Sequence, residues 1–133
     1  MADLPRLDPQ LVQAFVRDAH GNLDSVRDLL RQQPTLANAA WDWGGGDWET
    51  GLGAAAHVGR RDIALFLIEG GARMDIFAAA MLGQLEIVRA TIEAVPDARN
   101  WRGPHGIALL KHAEMGGAAA ATVLGYLRGL GGA

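Results

Sequence analysis

The residues best suited to chemistry are the four histidines of the chain and two carboxylates. The two carboxylates lie in a stretch rich in tryptophan. His20 and His57 each come shortly before a glycine, and Asp47 and Glu49 lie within residues 41–50. Imidazole and carboxylate groups together suit either a divalent metal ion or general acid and base catalysis near neutral pH. No His-x-x-x-His or His-Glu-x-x-His spacing occurs, so we assign no metal ligands and expect no cofactor. The candidates for a catalytic role are His57, His20, Asp47 and Glu49.

Composition indicates a single folded domain spanning residues 1–133. Half of the residues are apolar and a fifth are charged, which gives the chain enough apolar surface to form a core. The formal net charge of −3 disfavours nucleic acid as a partner, and the lack of cysteine excludes thiolate metal sites and disulfides. Uncharged runs are too short to cross a membrane, and the N-terminus does not resemble a secretory signal, so we expect a cytoplasmic protein.

Four segments repeat one pattern, in which an alanine-rich helix is followed by a glycine, an amphipathic helix and a glycine or proline. They span residues 8–38, 48–75, 76–100 and 104–133 approximately. Apolar side chains recur at helical spacing in each segment, and no stretch rich in β-formers interrupts them. The sequence therefore predicts an all-α fold, in which each helix pair is buried by its neighbours.

The second segment resembles an ankyrin repeat. That family opens its first helix with Thr-Pro-Leu-His-x-Ala-Ala and ends its second with Leu-Leu-x-x-Gly-Ala, and this chain matches the pattern at Thr50, Leu52, Ala54, Ala55, Ala56, Gly59, Ile63, Leu67, Gly71 and Ala72. Glycines stand where the family has its Pro and His, at Gly51 and Gly53. The resemblance implies a short α-solenoid of about four degenerate repeats, with projecting finger loops and a concave groove used for binding.

The connections between the repeats are irregular. Ankyrin repeats recur about every 33 residues. The interval from Gly21 to Gly59 is longer than that period, whereas the interval from Gly59 to Gly83 is clearly shorter. We therefore expect an enlarged first finger rich in tryptophan and almost no finger between repeats two and three. Two arrangements stay open, because the shortening either keeps His20, His57 and His105 in one groove or turns His20 and His57 away from His105.

The resemblance implies that His20 and His57 face the groove, where Asp47 and Glu49 would join them beneath Trp48. The leading interpretation is a protein-binding module that uses the groove and the finger at residues 41–49, and an enzyme is less favoured. Its expected binding residues are Trp43, Asp47, Trp48, Glu49, His57, Met81 and His105. The alternative is a small-molecule or metal site, with or without catalysis, that uses His57, His20, Asp47 and Glu49.

Simpler structural roles compete with these functional ones. His20 and His57 lie near helix C-termini, where they could interact only with exposed carbonyl groups. His112 is expected to be a hydrogen-bonded core residue, and Trp41 and Trp43 could cover the core of the first repeat. The apolar stripe of the last helix, formed by Val123, Leu124 and Leu127, suggests either a monomer or a weak homodimer through that helix.

Overall fold

Eight α-helices account for most of residues 3–131, the part of the chain that the computed structural model describes. The prediction of a mainly helical fold is confirmed for these residues. None of these helices has the length and apolar character that crossing a membrane would need. The helices are α1 (Pro9–Asp18), α2 (Leu23–Gln32), α3 (Gly51–His57), α4 (Arg61–Glu69), α5 (Ile76–Leu82), α6 (Leu85–Ala94), α7 (Leu109–Met115) and α8 (Ala121–Gly131). Short 3-10 turns span Pro34–Asn38, Pro96–Asn100, Pro104–Gly106 and Gly117–Ala120.

Side-chain caps start three of the helices that the repeat pattern places first in each segment. Asp8 accepts a hydrogen bond from the Gln10 amide before α1, and Thr50 accepts one from Gly53 before α3. Asp75 caps α5 in the same way. Each side chain satisfies an amide that the helix itself leaves without a partner. The first helix of each of these segments therefore begins directly after a residue type that favours the N-cap position.

The first helices of the segments contact one another in chain order, α1 with α3, α3 with α5 and α5 with α7. Their alanine runs, 54–56 and 78–80, are fully buried and let these helices approach closely. One apolar cluster fills the space around α1 to α5 and a second fills that around α5 to α8, so that α5 contributes to both. Met81, expected as a binding residue, is only 1% exposed and lies in the first cluster, so its side chain packs in the core and is not accessible to a partner.

The tryptophan-rich finger is a β-hairpin, which the sequence does not predict. Strand β1 (Ala40–Asp42) pairs in antiparallel register with β2 (Trp48–Thr50), and Trp41 lies opposite Glu49. Three glycines with positive φ make the turn, and the Asp42 carboxylate accepts hydrogen bonds from two of their amides. Because side chains alternate along a strand, Glu49 points to one face of the hairpin and Trp48 to the other.

The close approach of α5 and α7 depends on Gly116. Its backbone is right-handed, so alanine would meet no conformational penalty, but the added Cβ would collide with the carbonyl oxygen of Met81. We expect Gly116→Ala to lower the free energy of unfolding by about 1–3 kcal/mol in urea denaturation. Gly125→Ala is the matched control, since nothing lies within 4 Å of its added Cβ and alanine favours the helix. Equal stability of the two variants would contradict this packing.

Two of the three side chains in the apolar stripe of α8 are buried within the chain. Val123 and Leu127 belong to the second apolar cluster, while Leu124 is half-buried against it. This stripe therefore offers little apolar surface to a second copy.

Candidate metal centre

The buried carboxylate of Glu49 has four nitrogen atoms around it. Glu49 is 1% exposed, and its Oε1 accepts a hydrogen bond of 2.8 Å from the Trp43 indole. His20 Nε2 lies 3.2 Å from the same oxygen. His57 Nε2 lies 3.0 Å from Oε2, and His105 Nε2 lies 3.1 Å from it. Three imidazoles thus converge on one carboxylate through the same ring nitrogen.

Four separate elements supply these side chains. His20 follows the end of α1, and His57 is the last residue of α3. Glu49 is the central residue of β2, and His105 lies in the turn before α7. The site therefore exists only when the first, second and fourth segments are packed together.

Hydrogen bonds at Nδ1 fix how two of the imidazoles present Nε2. His20 Nδ1 lies 3.0 Å from the carbonyl oxygens of both Val16 and Arg17, and carbonyls can only accept. His105 Nδ1 lies 2.7 Å from the Asp47 carboxylate. Nδ1 must therefore carry the proton in both rings, and in the neutral form Nε2 presents a lone pair to Glu49.

Asp47 holds His105 in place with both of its oxygens. Oδ1 accepts the His105 backbone amide at 2.7 Å, while Oδ2 accepts the ring. His105 has φ of 62°, a left-handed conformation that non-glycine residues seldom adopt. The hydrogen bond from this backbone amide is the main cause that lowers the pKa of Asp47. A carboxylate that orients a histidine in this way is typical of metal sites.

The electrostatics favour a charged carboxylate at the centre. Burial raises the pKa of Glu49, but contacts with His20, His57 and Trp43 outweigh it and hold that pKa at about 2. The pKa of His20 is raised, chiefly by its contact with Glu49. Glu49 is therefore ionised at neutral pH, and a cation beside it is favoured.

The spacing of the four groups fits a metal ion. One ligand atom each from His20, Glu49, His57 and His105 lies within 4.8 Å of the others. Ligand bonds of about 2.0–2.1 Å in a tetrahedron place ligand atoms about 3.3 Å apart, close to the contacts of 3.0–3.2 Å with Glu49. Glu49 Oε2 and His57 Nε2 are buried without an aligned hydrogen-bond partner among the described residues. An ion between them would satisfy both atoms.

The structure brings the four catalytic candidates into one cluster and adds two residues to them. His20, His57, Asp47 and Glu49 are joined by His105 and by Trp43, which orients the carboxylate. The expectation that Trp48 roofs the cluster is wrong, because Trp48 points away from Glu49 on β2 and is 61% exposed. The Gly-Pro-His-Gly sequence at residues 103–106 is typical of a turn but does not indicate where the His105 ring points.

Two further ionisable residues of α7 lie outside the cluster. Glu114 lies 3.8 Å from Lys111 on α7 and is not part of the cluster. His112 is a buried core residue, as predicted: its Nδ1 donates to the Ala108 carbonyl, and its ring packs against Phe77. Burial lowers the pKa of His112.

The short connection between α4 and α5 explains how His105 reaches the site. Only six residues separate α4 from α5, and no finger projects there. The hairpin therefore contacts the turn at residues 104–106 directly, through Asp47 and His105. The His57 ring lies 5.0 Å from His20 and 5.1 Å from His105. Of the two arrangements left open by the sequence, the structure adopts the one with all three histidines together.

Trp41 and Trp43 also cover the first apolar cluster, against which both are partly buried. The hairpin also borders a cavity of about 320 Å³ whose lining includes Asp47, Trp48, Phe77 and Arg102. Trp48 thus lines this cavity, whereas Glu49 faces the histidines.

No family model, curated protein or solved structure matches this chain. We therefore argue its function from the site itself.

Proposed function

We propose that the protein is an ankyrin-like repeat domain that binds one divalent transition-metal ion through His20, Glu49, His57 and His105. The observation that carries the proposal is the convergence of three imidazole Nε2 atoms on one buried carboxylate. Support for the repeat architecture comes from the motif in segment 50–75 and from the succession of contacts between α1, α3, α5 and α7.

The count of protons favours an ion over a hydrogen-bonded cluster. His20 and His105 already donate from Nδ1, so each must be an imidazolium to donate to Glu49 as well. Their ring centroids are 6.2 Å apart, and each lies about 5 Å from His57. Two imidazolium charges at this distance repel each other, which offsets part of their attraction to Glu49 and Asp47. A single divalent ion supplies the positive charge and leaves the imidazoles neutral.

The ligand chemistry favours zinc or a neighbouring first-row metal. Imidazole suits zinc, copper, iron and nickel, whereas magnesium and calcium prefer sites built from oxygen ligands. Three nitrogens and one oxygen are compatible with tetrahedral zinc. Asp47 would act outside the coordination sphere by orienting His105.

Metal titration of the chelator-treated protein tests the proposal. We expect saturable uptake of one Zn²⁺ per chain, measured by calorimetry and by metal analysis after gel filtration. His57→Ala removes a ligand whose Nε2 is buried, so its affinity should fall by more than about tenfold. Glu114→Gln is the control, because this carboxylate lies outside the cluster and its loss should leave the affinity unchanged. Absence of stoichiometric uptake by the wild type would refute the metal site.

A second candidate function, the binding of a protein partner, is favoured by Trp48. This side chain is 61% exposed at the start of β2 and lines the cavity together with Phe77. Exposed aromatic side chains are frequent anchors in protein interfaces. A pull-down with the wild type, with Trp48→Ala and with His57→Ala separates the two functions: a partner lost only with Trp48→Ala would bind the outer face of the hairpin.

A further inference from the structure

The metal centre has a buried side and an exposed side. The Glu49 side chain is fully buried and that of His57 is 13% exposed. The side chains of His20 and His105 are 28% and 34% exposed. The two buried ligands therefore form the floor of the site, and the two exposed ligands form its rim.

The rings are also wider apart at the rim than at the floor. His57 lies 5.0 and 5.1 Å from the other two imidazoles, measured between centroids. His20, His105 and Trp43 form a wider triangle, with sides of 6.2, 6.3 and 6.4 Å. Trp43 thus lies beside both exposed ligands. Its indole N–H is bonded to Glu49, which fixes the ring in place.

Charge decides what kind of molecule could approach this rim. Three neutral imidazoles and one carboxylate leave a divalent ion with a net charge of about +1 in its coordination sphere. The second nearby carboxylate, Asp47, is already bonded to His105 through both oxygens. An anionic ligand is therefore favoured over a cation or a neutral molecule.

We propose that the bound ion keeps a coordination position on the rim between His20 and His105, which a small carboxylate occupies with its planar group stacked on Trp43. This inference rests on the proposed metal site and deepens it, because a purely structural metal centre would have no such position. Zinc tolerates a fifth ligand, so the four protein ligands do not exclude it.

Cobalt substitution tests the open position. The Co²⁺-loaded protein should show visible absorption bands that reflect the number of ligands, and azide, acetate or benzoate should change these bands saturably. If Co²⁺ does not bind at one ion per chain, the proposed metal site itself fails. If Co²⁺ binds but the bands respond to neither acetate nor benzoate, this inference is overturned while the metal site stands, and a response to azide alone would show an open position that does not take carboxylates.

The stacking on Trp43 has its own test. We expect benzoate to bind roughly fivefold more tightly than acetate, since aromatic pairs add a modest preference. Trp43→Leu should abolish this preference. Trp43→Phe should keep the preference for benzoate, because phenylalanine retains an aromatic ring for stacking. This variant lacks the N–H group that donates to Glu49, so it separates stacking from that hydrogen bond. Trp101→Leu is the control, as this exposed tryptophan lies outside the metal-ligand cluster. Equal affinities for benzoate and acetate in the wild type would overturn the role of Trp43.

Discussion

Replacing Glu49 with glutamine is expected to weaken Zn²⁺ binding by more than about a hundredfold. Glutamine keeps the shape of the side chain and can still accept the Trp43 indole hydrogen bond, but it removes the one negative charge that the three imidazoles share. Loss of a partner that only orients a ligand already reduces metal affinity by about 10–100-fold. Loss of a charged ligand that is fully buried should exceed that range. Competition with a chromophoric zinc chelator measures the change.

Two carboxylate variants make this experiment specific. Asp47→Asn removes the group that orients His105 and should fall within the range of about 10–100-fold. Glu114→Gln should leave the affinity as it is in the wild type, since Glu114 is not part of the cluster. Circular dichroism of each variant checks that the helices are retained. A Glu49→Gln variant that binds zinc within tenfold of the wild type would show that Glu49 is not a ligand.

The second large effect is a zinc-linked gain in stability that grows with pH. A ligand present at 100 times its dissociation constant adds about 2.7 kcal/mol to the free energy of unfolding. For a domain of this length that corresponds to a rise in Tm of about 10 °C. Zinc competes with protons for the imidazoles, so the rise should be small at pH 5.5 and large at pH 8.

In the metal-free protein, the stability contributed by His20 should instead fall as pH rises. The pKa of His20 is raised by Glu49, so the stability from this contact is complete below the ordinary pKa of 6.5 and is lost as pH rises through the folded-state value. The contribution of Glu49 is present above pH 4.5 and is lost as pH falls toward 2. Both contributions coincide between pH 4.5 and 6.5.

Comparing His20→Gln with the wild type isolates the pH dependence that comes from His20. Other titrating groups, such as His112, are present in both proteins and cancel in the comparison. In chelator, the variant should melt a few degrees below the wild type near pH 5.5, and the gap should close as pH rises. In zinc, the gap should instead open with pH. Thermal melts at four pH values with and without zinc measure both slopes. The same slope in both conditions would contradict the assignment of His20 as a ligand.

The helices could be predicted from the sequence because their apolar spacing and capping residues are local signals. The hairpin could not, since strands of three residues are too short to show alternation. Which of Trp43 and Trp48 lies beside Glu49 depends on the register of the hairpin, because a shift of one residue exchanges the two faces of a strand. Met81 was misplaced because α5 is buried on nearly all sides and so has no clear polar face.

The candidate site was predictable in its residue types but not in its geometry. His20, His57, Asp47 and Glu49 could be grouped because the ankyrin resemblance places helix ends beside fingers. The exact part of His105 could not be foreseen, because it depends on how the shortened connection between α4 and α5 positions the last segment. The distance along the sequence between residues 47–49 and residue 105 does not indicate whether they meet in the fold.

The contact of His105 with the hairpin also bears on cooperativity. In a stack of helix pairs that touch only their nearest neighbours, unfolding resembles a one-dimensional chain of weakly coupled units. Here Asp47 and Glu49 contact His105 across the helix pair α5 and α6. Such a long-range link couples the hairpin to the turn before α7, so fraying of the last helices would break contacts at the hairpin. The chain should therefore unfold in one transition rather than from its ends inward.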